Sequence, residues 1–353
     1  MKHMIFGESH GPAIGVALSG VPAGVELDLE EIAFEMSRRA PGKGPLSTAR
    51  KEADVPEILS GVFEGYTTGT PLSAVIRNTD QHSRDYSKLK TTPRPGHADY
   101  PGYLRYEGYN DYRGGGHFSG RLTAPLVFAG AVAKQVLALE GVKVGAHIRQ
   151  IATVEDLPFS ASEEPLGTDL FYKLAHKPFP VLDEAKGEAM QAAILAAKQE
   201  GDSVGGVIEC AVTGLPAGIG SPDFGENVEG IFAQHMFAVP AVKGIAFGAG
   251  FGCAAMKGSE MNDPLRLRGG EVRLLSNHSG GVNGGITNGM PILFTVVIRP
   301  TPSISREQQT VNLDTNENAS LTVEGRHDPC IVHRAVPVIE AAATLAACEL
   351  LGV

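Results

Sequence analysis

Apolar residues recur at helical spacing in four segments of the chain. In the first, Leu29, Ile32 and Met36 share one face, and Asp28 followed three residues later by Glu31 predicts a capping box. The other segments lie at 123–136 with a stop at Gly141, at 183–199 and at 337–351. Their starts carry Asp, Thr or Pro, which are typical of a first helical turn.

Short runs rich in valine and isoleucine lie around these helices. They predict strands at 13–18, 72–77, 144–151, 207–213, 271–275 and 292–299. Strands and helices do not alternate regularly, which argues against a doubly wound parallel sheet. No linker rich in proline, serine or charge divides the chain, so we expect one domain over residues 1–353.

One short pattern occurs twice, each time after a predicted strand. The sequence SGVPAG stands at 19–24 and TGLPAG at 213–218. The repeat predicts an internal duplication of a strand-to-turn unit. The alternative is a favourable type II turn that recurs by chance, since proline followed by glycine suits many turns.

The composition argues against several classes of protein. Acidic residues (40) outnumber basic ones (30), and the net charge of -10 disfavours a general nucleic-acid binder. The four cysteines form no CxxC pair and no zinc-spaced cluster with histidine, which fits a reducing compartment without a structural metal. The first residues lack an apolar signal-peptide core, and Glu340 and Glu349 interrupt the apolar stretch 335–351. We therefore expect a soluble, cytoplasmic protein that binds neither membrane nor nucleic acid.

The 44 glycines and 23 prolines concentrate in short loops that also carry histidine and arginine. In GESHGP, Ser9 and His10 project from a turn flanked by glycines; a surface turn with an incidental histidine is the alternative. In RPGHAD, Arg94 can clamp an anion while His97 supplies a proton. There the alternative is a structural turn in which Arg94 pairs with Asp99.

Further loops have the same character. In DYRGGGHFSGRLT, three glycines lead into the helix at Thr123 and expose N–H groups near its positive end, which favours an anion over a plain flexible loop. In GRHDPC, Arg326 and Asp328 can act on a substrate. The alternatives there are an internal Arg–Asp turn and a metal site of His327, Asp328 and Cys330. The segments SNHSGGVNGG and RPTPS mix polar side chains with restricted turns, as sites for polar heterocycles do.

Arginine is concentrated in these loops of an otherwise acidic protein. The set comprises Arg38, Arg39, Arg94, Arg113, Arg121, Arg299 and Arg326. Guanidinium groups match carboxylate and phosphate in bidentate geometry. The pattern predicts a small ligand that carries several negative charges.

These motifs, in their order along the chain, resemble the chorismate synthase family. The match covers essentially the whole chain and includes GESHG, RRxPG, RKEAD, EILSGVFEG, TTGTP, NTDQ, RPGHAD, DYRGGGH, EGDSVGG, SNHSGG and RHDPC. The resemblance implies a homotetramer of α+β subunits, each a β-α-β sandwich with helices between antiparallel sheets. It also implies reduced FMN as cofactor and anti-1,4-elimination of phosphate from 5-enolpyruvylshikimate-3-phosphate. The product, chorismate, completes the last common step of the shikimate pathway to aromatic amino acids, with no net redox change.

The resemblance assigns roles to individual residues. His10 would lie by the departing phosphate and His97 by the flavin, each as a proton donor, while Asp328 with Ser9 would assist flavin N5 in receiving the C6 hydrogen. The residues implied to bind the substrate anion are Arg39, Arg94, Arg121 and Arg326. Those implied to contact the flavin are His117, Phe118, Ser119, Pro240, Ala241, Gly284, Arg299, Pro300, Thr301, Pro302, Ser303 and Arg326.

The sequence departs from the family pattern in three places. The stretch before Gly7 is a few residues shorter than is usual in the family and does not resemble its opening strand, so a truncated or altered start is expected. Pro45 replaces a second basic residue beside Arg39, with Lys43 as a candidate substitute, and Pro240 replaces an asparagine, which leaves its backbone for a flavin contact. No dinucleotide fingerprint is visible, so NADPH and an external reductant both stay open as sources of reduced flavin.

Two other functions stay open at this point. A flavin-free phosphate lyase or phosphatase would use the same arginines without FMN. A module that binds a shikimate-pathway anion without chemistry would not need Ser9, His10, His97 or Asp328.

Overall fold

The computed structural model describes residues 1–42, 44, 46, 52–79, 88–323 and 327–353. Its helices are α1 (Leu29–Arg39), α2 (Asp99–Arg105), α3 (Thr123–Leu139), α4 (Thr168–Ala175), α5 (Glu184–Gln199), α6 (Val228–Ala238), α7 (Gly258–Met261) and α8 (Val332–Leu351). Its strands are β1 (Lys2–Gly7), β2 (Ala13–Ser19), β3 (Pro56–Ser60), β4 (Val62–Phe63), β5 (Tyr66–Thr67), β6 (Leu72–Arg77), β7 (Lys143–Ile151), β8 (Val154–Glu155), β9 (Gly206–Thr213), β10 (Val242–Phe247), β11 (Leu265–Arg268), β12 (Glu271–Leu274), β13 (Val282–Asn283), β14 (Ile286–Thr287), β15 (Ile292–Ile298), β16 (Gln308–Asn312) and β17 (Glu317–Leu321).

Two antiparallel sheets enclose a layer of helices. One sheet has the order β1-β2-β6-β3 and the other β10-β15-β9-β7-β8. Helix α3 packs on β2 and β6, helix α8 packs on β7 and β9, and the two helices pack on each other. The fold is therefore α+β, with the helices between the sheets.

The two central helices approach very closely. A Cβ added to Gly130 of α3 would lie 2.3 Å from the Cβ of Ala341 in α8, so the contact requires glycine. Both helices are buried along most of their length, which explains why their sequences are apolar on all sides. The stretch 120–139 is long and apolar enough to cross a membrane, but 72% of its most apolar window is buried inside the protein, as in a core helix.

The predicted helix starts are confirmed for three helices and wrong in two details. Asp28 caps α1 by accepting hydrogen bonds from the backbone N–H groups of Glu30 and Glu31, at 2.9 and 3.0 Å. The capping box is not completed, because the backbone N–H of Asp28 donates to Gln135 on α3 instead of to Glu31. Helix α8 begins at Val332, before the predicted start at Pro337, because burial among the sheets outweighs the hydrogen bond that this proline cannot donate.

The predicted strands are confirmed, whereas the expectation of a truncated or altered start stays a prediction. The residues before Gly7 form β1, which pairs with β2 from Lys2 opposite Ser19 to Gly7 opposite Ile14. This pairing fixes the position of the loop that follows Gly7, because the register continues up to that residue. The loop carries Ser9 and His10.

The expectation that Arg38 belongs to a ligand-binding loop is wrong. Arg38 lies in the last turn of α1, and its guanidinium donates to Glu340 at 2.5 and 2.8 Å and to Glu35 at 2.7 Å. Lys134 joins the same buried cluster, with 2.6 Å contacts to both carboxylates. Burial alone would raise the pKa of Glu340, but Arg38 and Lys134 lower it to about 2. Arg38 is therefore part of the core.

Candidate active site

A cavity of about 290 Å³ lies where α3 and α8 begin. Its lining includes Thr123 at the start of α3 and Ile331, Arg334, Ala335 and Val338 at the start of α8. The sequence-predicted residues that line it are Arg39, Arg94, His97, Phe118, Ser119, Arg121, Pro240, Ala241, Arg299, Thr301, Pro302, Ser303 and Asp328. Residues far apart in sequence thus combine guanidinium groups with an apolar surface.

Arg39 and Arg121 share one buried carboxylate. The Nη1 atoms of both guanidiniums contact the two oxygens of Asp54, whose side chain is fully buried. Arg121 also donates from Nε to the side-chain oxygen of Asn78 at 3.0 Å. Burial lowers the pKa of Arg39 to about 10, against the opposing effect of Asp54, so the guanidinium still carries its charge at neutral pH. The paired cations are held rigidly at the edge of the cavity.

Arg121 keeps one donor for a further partner. Its Nη2 atom is buried and has no hydrogen-bond partner among the described residues. A carboxylate oxygen of Glu52 lies 3.6 Å away, beyond hydrogen-bond distance. Glu52 therefore balances the charge of this atom without accepting its hydrogen bond, which leaves the donor open to an anionic acceptor.

Ser9 and His10 lie directly behind the cavity wall. Both are buried, and a Cβ on the cavity-lining Gly114 would come within 2.1 Å of His10 Nδ1 and 3.0 Å of Ser9 Oγ. The Asn78 amide donates to the carbonyl oxygens of Glu8 and Gly11, at 3.0 and 2.8 Å. Since Asn78 also accepts from the Arg121 side chain, one amide fixes this loop relative to a cavity arginine.

The three glycines of DYRGGGH have a different role from the predicted one. Gly114, Gly115 and Gly116 all adopt positive φ, at 59°, 83° and 52°, and a short turn separates them from α3. They do not form the N-terminus of that helix. Added Cβ atoms would approach His10 at Gly114 and, at 3.1 Å, His97 at Gly115, so the glycines let the backbone pass close to two imidazoles.

Arg94 and His97 converge on Asp99. Arg94 makes a bidentate pair with Asp99 at 2.8 and 2.9 Å, and His97 Nδ1 lies 2.5 Å from the same carboxylate. The third guanidinium nitrogen, Nη1 of Arg94, donates to Ser303 at 3.1 Å. Arg94 is therefore paired with Asp99, as in the alternative interpretation of this motif, and it also lines the cavity.

The local charges set the protonation of this group. Burial lowers the pKa of His97, against the opposing effect of its hydrogen bond to Asp99, so the imidazole is largely neutral at pH 7. Burial alone would raise the pKa of Asp99, but hydrogen bonds from Arg94 and His97 hold it well below its usual range. An ionised Asp99 thus orients His97 through Nδ1.

The segment 299–303 supplies one wall of the cavity. The Arg299 N–H donates to the Ala241 carbonyl at 3.0 Å, and the Thr301 hydroxyl donates to the Asp328 carbonyl at 2.9 Å. Ser203, from the EGDSVGG motif, donates to the Thr301 carbonyl at 2.7 Å. Burial lowers the pKa of Arg299, and its guanidinium has no ion pair with another described residue. A cation is therefore available on this wall.

Several predicted residues lie elsewhere. His117 is exposed, with Nδ1 3.0 Å from the Gly7 carbonyl, Pro300 is exposed beside the cavity lining, and Gly284 lies at the exposed tip of the β13–β14 hairpin. Arg326, Lys43 and Pro45 lie outside the described residues. Their predicted contacts stay predictions.

The geometry does not favour a metal site at the GRHDPC turn. Asp328 is ion-paired with Arg334 at 2.8 Å, and burial raises the pKa of Cys330 to about 12, so its thiol stays protonated. Within the part of the chain that the structure describes, no three His, Cys, Asp or Glu side chains cluster as metal ligands would.

Four residues of the site were not singled out from the sequence. They are Glu52, Asp54, Asn78 and Arg334. The first three lie in the motifs RKEAD and NTDQ, so their density of polar residues was the available signal. Arg334 lies inside a mainly apolar helix, where a single arginine carries little information.

Comparisons with known proteins identify the family of this chain. The chorismate synthase family model matches residues 1–351. Chorismate synthases of Dehalococcoides mccartyi and Thermococcus kodakarensis are 44% and 46% identical, over 98% and 96% of this chain and 93% and 92% of their own. A crystal structure of chorismate synthase covers 99% of this chain and 91% of its own, with a TM-score of 0.77 and 30% identity. The chain therefore belongs to the chorismate synthase family.

Proposed function

We propose that the cavity binds 5-enolpyruvylshikimate-3-phosphate beside reduced FMN and eliminates phosphate to give chorismate. Family membership makes the chain a carbon–oxygen lyase that acts on phosphates. The observation that carries the proposal is the meeting of Arg39 and Arg121 with Ser9, His10 and His97 around one cavity. A phosphate and two carboxylates need several cations, and a dissociating phosphate needs a proton donor.

The residues present fit a flavin. The cavity offers apolar surface from Phe118, Val239 and Val338 for a planar ring system, and Arg299 for a phosphate group. Pro240 leaves only its carbonyl for a ring contact, while Ala241 already accepts the Arg299 N–H. When bound, reduced FMN would supply the electron density that eases the departure of the substrate phosphate.

The chain's own residues would bind the phosphate and move its protons. Arg121 Nη2 is the buried donor that an anion can satisfy, and Ser9 Oγ is also buried without a partner among the described residues. His97 is held by Asp99 but is largely neutral in the free protein. A bound dianion would favour the protonated imidazole, so we expect His97 to become a proton donor only when ligand is present.

An anaerobic assay tests the proposal. Purified protein, FMN reduced with dithionite and 5-enolpyruvylshikimate-3-phosphate should give chorismate and phosphate, and the oxidised-FMN control should give neither. Phosphate release without flavin would support a flavin-free lyase or phosphatase. Binding of both ligands without product would support the binding module.

One protein variant and one change of reductant sharpen this assay. His97→Ala should lower turnover by ~10²- to 10⁴-fold while substrate affinity changes little, because a proton donor acts mainly in the transition state. Equal loss of affinity with unchanged turnover would contradict the role of His97. Replacing dithionite by NADPH then distinguishes intrinsic reduction of the flavin from an external source.

We also propose that the protein acts in the cytoplasm as a homotetramer. The arm formed by residues 249–275 exposes Phe251, Leu265, Leu267 and Val272, with 89%, 58%, 74% and 63% of each residue accessible. Its β11–β12 hairpin pairs with no other strand in the described part of the chain. An isolated hairpin is marginal in water, so a second copy is the expected cover for these side chains.

The chain is further proposed to be one domain built on an internal duplication. One hydrophobic core draws on both sheets. A distant threonine holds the turn in each unit. In the SGVPAG unit, Thr67 Oγ1 donates to the Pro22 carbonyl and accepts from the Val25 N–H. In the TGLPAG unit, Thr287 Oγ1 donates to the Pro216 carbonyl and accepts from the Ile219 N–H. A chance turn would not require the same long-range threonine in both units.

A further inference from the structure

Arg334 joins the cavity to the beginning of α8. Its guanidinium donates from Nη1 to Asp328 Oδ2 at 2.8 Å and from Nε to the Arg39 carbonyl at 3.1 Å. The side chains of Arg334 and Asp328 are both only 14% exposed. Two separate hydrogen bonds fix the plane of the guanidinium, which a single contact would leave free to turn.

The backbone on both sides of this pair is also fixed. The Asp328 carbonyl accepts from Thr301 Oγ1 at 2.9 Å, and the Pro329 carbonyl accepts from the Val204 N–H at 2.9 Å. Arg334 stands on α8, whose following turns are buried between the sheets. With the backbone held in this way, the Arg334 contact restricts rotation of the Asp328 side chain.

The charges around Asp328 make this contact important. The guanidinium of Arg39 is directed to Asp54, and burial lowers the pKa of His333 to about 4, so that imidazole is neutral at pH 7. Burial also keeps the Cys330 thiol protonated. Arg334 thus places a permanent cation in direct contact with the carboxylate, while Arg39, paired with Asp54, acts on it only through its charge.

We infer that Arg334 is a positioning residue that holds the Asp328 carboxylate in one orientation at the cavity. This inference rests on the proposed function, in which the Asp328 carboxylate takes part in hydrogen transfer at the flavin. It also gives a role to the arginine of the family site that the sequence motifs did not single out.

The test compares Arg334→Gln and Arg334→Lys in the anaerobic assay with reduced FMN. Glutamine retains a donor but no charge, so we expect kcat to fall by about 10- to 100-fold, with KM and FMN affinity changed less than about threefold. Lysine retains the charge and should restore part of kcat.

Two controls separate positioning from folding. Arg77→Gln makes the same change at an exposed pair with Glu57, where the side chains are 64% and 55% accessible, and should leave the kinetics unchanged. In an Asp328→Asn background, adding Arg334→Gln should cause little further loss, because the group it positions is already gone.

The outcomes are distinguishable. No chorismate from the wild-type protein overturns the proposed function and this role together. An active wild type with an unchanged Arg334→Gln variant overturns the inference alone. A rise in KM with constant kcat shows that Arg334 binds substrate directly and also overturns it, and so does an equal, additive loss in the Asp328→Asn background.

Discussion

Asp54 is the residue whose replacement tests the electrostatics of the cavity most directly. It is buried, and its two oxygens contact the guanidiniums of Arg39 and Arg121. Asp54→Asn keeps the size of the side chain and removes one negative charge. Asn also tolerates the left-handed backbone at this position, where φ is 51°, so the change adds little strain.

The expected loss of stability is large. Removing one partner of a buried ion pair costs about 3–5 kcal/mol, because the remaining charge is left uncompensated. Here two guanidiniums lose their shared partner, so we expect the unfolding free energy to fall by about 3 kcal/mol or more. Glu57→Gln, which removes the same charge from the exposed pair with Arg77, should cost less than about 1 kcal/mol.

Phosphate should reverse part of this loss. An anion in the cavity can take the place of the missing carboxylate, and a ligand at 100 times its Kd stabilises the folded state by about 2.7 kcal/mol. Urea unfolding of both proteins, with and without inorganic phosphate, measures the effect. Equal stability of Asp54→Asn and wild type would refute the reasoning, as would equal stabilisation of both by phosphate.

Three other changes have defined outcomes. Gly114→Ala should abolish chorismate formation in a folded protein, because the added Cβ would overlap His10. The control Gly167→Ala, where open space surrounds the added Cβ, should keep its activity, and equal activities of the two variants would contradict the prediction. His333→Asn should reduce the loss of stability between pH 6.5 and 4. In the wild type the folded-state pKa of His333 is about 4, so the unfolded state takes up a proton first as the pH falls, which costs the folded state about 3 kcal/mol. Parallel curves of unfolding free energy against pH for the two proteins would count against this. Leu267→Lys in the exposed arm should lower the oligomer mass measured by light scattering, and an unchanged tetramer would place the interface elsewhere.

Much of the fold was predictable because burial imposes a pattern on the chain. The strands β2, β6, β7, β9 and β15 are rich in valine and isoleucine because they face the helical layer. The hairpin β16–β17 was not predicted, since its sequences QQTVN and ENASL are polar and only partly buried. The extension of α8 before Pro337 depends on tertiary packing, which local proline chemistry does not report.

The site was predictable where its residues lie in dense motifs. The loops with His97 and Asp328 were found because glycine, proline and charge stand together there. The pairing of Asp54 with Arg121 joins residues 67 positions apart, so only the folded chain brings them together. The preference of Arg94 for Asp99 was left open because a guanidinium can satisfy a neighbour or a ligand equally well.

The glycine at the crossing of α3 and α8 makes the site adjustable from a distance. Gly130 lies seven residues from Thr123, and Ala341 lies seven residues from Arg334, so each helix runs about 10 Å from the crossing to its end at the cavity. The side chains at this contact set how closely the two helices can pack, and with it the spacing of the two helix starts that line the cavity. Natural variation in the size of these two core residues could therefore widen or narrow the grip on the ligand while every residue that contacts it stays the same.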